Sequence, residues 1–152
     1  AIVDLYPHIA NVSKEKFNNI IDIFSFVKSE INIERDKAVP CLYGDNNIEY
    51  SYHSPCHSNK KTDDDIIFVL NYFGINVKKL EKQCCGLGGF HGMDKNNEKI
   101  SKETGKKLFT EINFENKIVL TECGTCQLQI NNNTNQKSIH PIKILYEIIK
   151  ER

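Results

Sequence analysis

Ile48-Glu-Tyr-Ser-Tyr52 runs straight into His53-Ser-Pro-Cys-His57, and this junction decides how the rest of the chain is read. The first five residues alternate as a short β-strand does, and Pro55 ends the run in a turn that carries Cys56. Working outward, the same step occurs twice more. Ile75–Leu80 is strand-like and leads into Cys84-Cys-Gly86, and Lys117–Thr121 is β-branched and leads into Cys123-Gly-Thr-Cys126. Helical spacing fills the intervals. Asp63–Phe73 gathers Ile66, Ile67, Val69, Leu70 and Phe73 on one side, with three acidic residues in its first turn, where the helix dipole favours them, and Gly74 as C-cap. Asn96–Ile112 sets Ile100, Thr104, Leu108 and Ile112 along one face, and a short helix covers Gln127–Asn131. Ile139 precedes a last helix over Ile142–Ile149, with Pro141 suited to its first turn. Strand, cysteine loop and helix in repetition predict an α/β domain: a small, mostly parallel sheet flanked by helices, with the cysteine loops at the carboxyl ends of the strands.

Upstream, Ser13 is read as the cap of a helix over Lys14–Glu30, whose stripe of Phe17, Ile20, Ile21, Phe24 and Val27 faces a core. Residues 31–47, with Pro40 and Gly44, read as an irregular link. The expected division is an N-terminal helix and connecting segment over 1–47, then a cysteine-rich unit over 48–152. The 20 basic and 20 acidic residues cancel, and the basic ones lack the aromatic interleaving of a nucleic-acid groove, so no nucleic-acid partner is expected. No apolar run approaches the roughly 20 residues of a membrane span, so no transmembrane segment is expected. Ala1–Tyr6 lacks the grammar of a signal peptide, and the start reads like the middle of a longer polypeptide.

Six cysteines could make three disulfides in a secreted domain. A chain of this size folds without staples, however, and adjacent Cys84 and Cys85 make a poor bridge, so ligand thiolates in a reducing cytoplasm fit better. A Cys-x-x-Cys turn is also the start of a thioredoxin-like dithiol, but a dithiol has no need of Cys56, Cys84 or Cys85. Zinc takes about four ligands, and five converging cysteines favour an iron–sulfur centre, with zinc and thiol redox chemistry left as alternatives. Cys41, beside Pro40, reads as a half-buried free thiol. His57 and His91 are placed to hydrogen-bond sulfur, His53 to anchor its turn, and His140 to face the same edge; nothing assigns His8 a role. Glu122 is a solvated charge or a proton handler beside Cys123. The loop Gly86-Leu-Gly-Gly-Phe-His-Gly92 can turn sharply but lacks dinucleotide-binding spacing. No serine elbow, His-Glu-x-x-His or phosphate loop competes.

Together, Tyr52-His-Ser-Pro-Cys-His57, Cys84-Cys-Gly-Leu-Gly-Gly89, Thr121-Glu-Cys-Gly-Thr-Cys-Gln-Leu-Gln-Ile130 and His140-Pro-Ile-Lys-Ile-Leu145 resemble the cysteine-rich CCG domain. That domain occurs in the B subunit of heterodisulfide reductase, the glycolate oxidase iron–sulfur subunit, lactate-utilisation iron–sulfur proteins and the C subunit of anaerobic glycerol-3-phosphate dehydrogenase. The likeness covers about residues 48–152, and the His140–Pro141 ending is most similar to the last of these branches. It implies the second of two such copies in a larger subunit. It further implies that Cys56, Cys84, Cys85, Cys123 and Cys126 hold a 4Fe–4S cluster, noncubane in the heterodisulfide reductase manner, with zinc as the alternative. The implied function is electron transfer within a respiratory dehydrogenase or heterodisulfide reductase-like oxidoreductase. Electrons would pass from a flavoprotein dehydrogenase subunit toward quinone or a disulfide, through a membrane or quinone-reducing partner at the inner face of the cell membrane. No catalytic residue is implied in this chain. The contrasting expectation is a zinc-stabilised docking module for partner subunits.

Overall fold

Tyr50–Tyr52 (β1) is buried at every position, as a strand covered on both faces must be. In the computed structural model, which describes residues 21–31, 48–113 and 118–150, β1 lies at the centre of a four-stranded sheet. Val77–Lys79 (β2) pairs with it on one side and Ile118–Leu120 (β3) on the other, and Ser138–Ile139 (β4) adds beyond β3. All pairs are parallel, in the order β2-β1-β3-β4, with Tyr52 opposite both Lys79 and Leu120. The winding reverses between β1 and β3, so the crevice beyond their carboxyl ends is the switch point where such sheets place a ligand.

Among the described residues, five α-helices cover the sheet: Ile23–Glu30 (α1), Lys60–Tyr72 (α2), Glu98–Asn113 (α3), Gly124–Asn133 (α4) and Pro141–Lys150 (α5). One core joins Tyr50, Tyr52 and Leu120 to Ile66, Val69 and Leu70 of α2, to Ile144, Leu145 and Ile148 of α5, and to Phe24 of α1. The other joins Val119 to Leu108, Phe109 and Ile112 of α3 and Ile130 of α4, and includes Cys85 and Cys126. The sheet thus separates two apolar layers, and Cys85, Cys123 and Cys126 belong to the α3–α4 side.

Several expected elements have shifted bounds for local reasons. The helix expected over Lys14–Glu30 begins, in its described part, at Ile23: Asp22 is extended and its carboxylate accepts the amide of Phe24, so Ile21 lies outside the helix and half exposed. The Ser13 cap, Phe17, Ile20, Cys41, His8 and the link over 32–47 lie outside the described residues. The helix expected from Asp63 starts three residues earlier, where Asn59 caps the amide of Thr62. It ends as expected at Gly74, whose φ of +85° lets Gly74 N and Ile75 N return to the carbonyls of Asn71 and Leu70. On α3 the expected face through Ile100 and Thr104 is solvated; the buried face is Ser101, Gly105, Leu108, Phe109 and Ile112. The short helix expected over Gln127–Asn131 is longer, and its first turn contains Cys126.

Candidate functional site

Each cysteine loop leaves the end of a strand on the same edge of the sheet. Cys56 follows β1, Cys84 and Cys85 follow β2, and Cys123 caps α4 directly after β3. Cys56 is exposed, Cys84 and Cys123 are half-buried, and Cys85 and Cys126 are buried.

The double-cysteine loop is seated on the backbone of α3. Gly86 has φ +87°, and a Cβ there would lie 2.0 Å from the Ser101 carbonyl oxygen. A Cβ on Gly105 would meet the Cys85 carbonyl oxygen at 2.5 Å. Two glycines therefore let loop and helix meet backbone to backbone, which fixes Cys84 and Cys85 against a rigid element. Gln83 donates to Glu111 at 2.8 Å, and Gly86 N donates to Cys84 Sγ at 3.3 Å.

A buried carboxylate fixes the first loop. Asp63 accepts from Tyr52 Oη at 3.0 Å and from Ser54 and Ser58 Oγ at 2.7 Å each, and pairs with Lys79 Nζ at 3.0 Å. Burial pushes its carboxyl up, but the hydrogen bonds from Ser58, Ser54, Lys79 and Tyr52 outweigh that and hold it below the ordinary range. Of the three carboxylates expected in the first turn, only Asp63 lies there, because α2 starts at Lys60, and two have more particular work: Asp63 holds the Cys56 loop, and Asp65 accepts Ser25 and Lys28 of α1 at 2.6 Å each. Tyr52 Oη also lies 2.8 Å from Glu122, so one phenol links the loops after β1 and β3. Burial, then the Glu122 and Asp63 charges, push that phenol well above its usual value.

Between the loops, Cys126 Sγ donates to Cys85 Sγ at 3.3 Å. That hydrogen bond draws the Cys85 thiol down to about 6 against the effect of burial, with help from the amides of Leu87 and of Cys85 itself. Cys126 is driven strongly upward by the same bond, by burial and by Cys85 and Cys123. The Cys56 thiol is raised by burial and then by Cys84 and Cys85. Cys56 and Cys126, on different loops, are therefore both raised by Cys85 on a third. Cys123 Sγ also lies 3.0 Å from Thr125 Oγ1. Among the described residues, no three His, Cys, Asp or Glu side chains form a group that could grip a metal ion as they stand.

The histidines divide. His57 is exposed, His91 is exposed and engaged by Asn97, and His140 Nδ1 caps α5 by accepting the Ile142 amide at 3.1 Å. His53 is fully buried, which lowers its pKa to about 4 against the opposing charge of Asp63, and neither ring nitrogen has a partner among the described residues. Sequence pattern does not single out Asp63, Ser101 or Gly105; a lone glycine within the α3 periodicity is the available signal for the last.

All five cysteines of these loops fall within the part of the chain that a family comparison matches. Residues 50–131 match the family model described as cysteine-rich domain, CCG. Over 152 residues the chain is 29% identical to the C subunit of anaerobic glycerol-3-phosphate dehydrogenase from Escherichia coli K12, covering 98% of this chain and 38% of that protein. It is 28% identical over 135 residues to the B subunit of fumarate reductase (CoM/CoB) from Methanothermobacter marburgensis, covering 84% of this chain and 25% of that protein. The chain thus spans well under half the length of these relatives. No solved structure gives a significant match.

Proposed function

From the premise that this chain belongs to the cysteine-rich CCG domain family, we propose that Cys56, Cys84, Cys85, Cys123 and Cys126 hold an iron–sulfur cluster and that the domain transfers electrons within a larger oxidoreductase. The observation that carries this is the gathering of five thiols from three strand-end loops at the sheet's switch point, with Cys85 and Cys126 in direct contact.

The donor set fits. A single zinc ion needs about four donors some 2.3 Å from one point, whereas a multi-iron cluster spreads its thiolates over several irons. Sulfurs dispersed over three loops suit the second arrangement. The cluster would supply one-electron chemistry. The protein's part is to hold the thiolates and set the energy of the added charge: the Gly86 amide on Cys84 and the Thr125 hydroxyl beside Cys123 place donors near sulfur, and donors to sulfur favour the more negative, reduced state. The core formed with α3 and α4 keeps water from Cys85 and Cys126. Residues 48–152 would form the cysteine-rich unit.

By analogy with relatives named as dehydrogenase and fumarate reductase subunits, the partners are a flavoprotein dehydrogenase subunit and a membrane or quinone-reducing component. No described helix is long and apolar enough to cross a membrane, so contact with one would run through partners.

Anaerobic reconstitution with ferrous iron and sulfide tests the reading. About four irons with matching labile sulfide, and an EPR signal on oxidation or reduction, are expected. Stoichiometric zinc that resists exchange, without sulfide uptake, would establish the docking module in its place.

A further inference from the structure

Two buried side chains at the sheet edge carry polar atoms that no described residue satisfies: both ring nitrogens of His53 and Oγ1 of Thr121. Each residue is 0% exposed. Polar groups at such depth are almost always hydrogen-bonded, so an orphan asks for a partner that belongs there.

The strand ladder says where these side chains lie. His53 N donates to Leu120 O at 2.9 Å, Leu80 N to Tyr52 O at 2.9 Å, and Thr121 N to Ile139 O at 3.1 Å. Extended pairing therefore continues one residue past β1 and β3. Side chains alternate along extended backbone, and Tyr52 and Leu120 belong to the α2–α5 core, whereas Val119 shares the other core with Cys85 and Cys126. His53 and Thr121, next after Tyr52 and Leu120, fall on the cysteine side. They are also neighbours, because Tyr52 and Leu120 are register partners.

We propose that His53 donates an imidazole N–H to a sulfur of the group held by Cys85 and Cys126, with the Thr121 hydroxyl beside it completing a buried polar floor. This rests on the iron–sulfur reading above. His53 then acts as a tuning residue: its N–H stabilises negative charge on sulfur and raises the reduction potential.

The test uses the 152-residue chain reconstituted anaerobically with ferrous iron and sulfide, comparing wild type with His53→Phe and His53→Gln. His53→Phe fills the space without a donor. In metal-free, reduced protein it is expected to melt at or above wild type, because an unpaired buried group is gone. In loaded protein it is expected to lower the reduction potential and speed iron loss to a chelator, and His53→Gln, which keeps an N–H, should restore much of the potential. A purely structural histidine predicts the opposite pattern: equal destabilisation of both forms with the potential unchanged, which would overturn the proposal. Should His53→Phe fail to fold, wild type carrying isotope-labelled histidine decides; weak nitrogen coupling to the paramagnetic cluster supports the hydrogen bond, and its absence overturns it. Wild type that takes up no iron and sulfide refutes the underlying reading itself, and the proposal falls with it.

Discussion

Replacing Asp63 by Asn removes the charge that holds the Cys56 loop while keeping its shape. The amide would keep one acceptor oxygen where the carboxylate offers two. Tyr52 Oη retains Glu122, and Ser54 and Ser58 donate to different carboxylate oxygens, so one of these two hydroxyls loses its acceptor while the other keeps a neutral one. Losing one hydrogen bond to a charged group and weakening a second gives a destabilisation of about 2 kcal/mol. Lys79 is 36% exposed and adds less than about 1 kcal/mol after solvent screening. For a chain of this length the shift in Tm is roughly 4–8 °C. The pH dependence carries the sign. The folded-state pKa of Asp63 is depressed, so its stabilisation is fully present above the unfolded value of about 4 and is lost as pH falls through the folded value. Denaturant titrations of the reduced, metal-free protein should therefore show a wild-type advantage that is constant near neutrality and narrows in acid. Amide exchange over residues 53–58 should accelerate in the variant. An advantage below about 1 kcal/mol at neutral pH, or one that persists undiminished in acid, would refute the role given to Asp63.

Two further outcomes are expected. Gly86→Ala puts a methyl group 2.0 Å from the Ser101 carbonyl in a left-handed backbone; it should cost at least about 3 kcal/mol and abolish iron uptake, measured by denaturation and metal analysis, whereas a near-neutral result would mean that the loop is not seated on α3. In metal-free protein, Cys85 and Cys126 at 3.3 Å should be the first pair oxidised by peroxide: the Cys85 thiolate is converted to a sulfenic acid, and Cys126 condenses with it, releasing water. Thiol titration should show two of the six thiols lost, and peptide mapping that found Cys56 or Cys84 paired first would contradict that geometry.

Three strands of the sheet are legible in the sequence because each is a short alternating or β-branched stretch ending in a turn that announces itself. Ile75–Leu80 and Lys117–Thr121 need no tertiary knowledge, and neither does Gly74 as a helix terminator. The interior face of α3 is misread because periodicity counts large apolar residues. Here the helix meets a loop, and the contact demands Ser101 and Gly105, which periodicity scores as blanks. The expected helix over Gln127–Asn131 captures the middle of α4 and misses its ends, and periodicity does not show that Gln129 is buried, since it is buried through a hydrogen bond to Ser101. Asp63 resembles its neighbours Asp64 and Asp65 in sequence; only the fold brings four donors to it. The cysteines stand out because thiols in turns are conspicuous. Which of them touch depends on strand order, and pattern along the chain does not encode that.

The order β2-β1-β3-β4 also has a consequence for timing. The Cys56 and Cys123 loops become neighbours only when β3 docks against β1, after the chain has passed through α2, β2 and α3. No short stretch emerging during synthesis can present the full set of sulfurs. On the iron–sulfur reading proposed above, cluster assembly is thereby a late event, performed on a finished scaffold. A folded, unfilled protein must persist for some interval with Cys85 and Cys126 already touching. On that reading, oxidation of this pair in the interval competes with filling of the site.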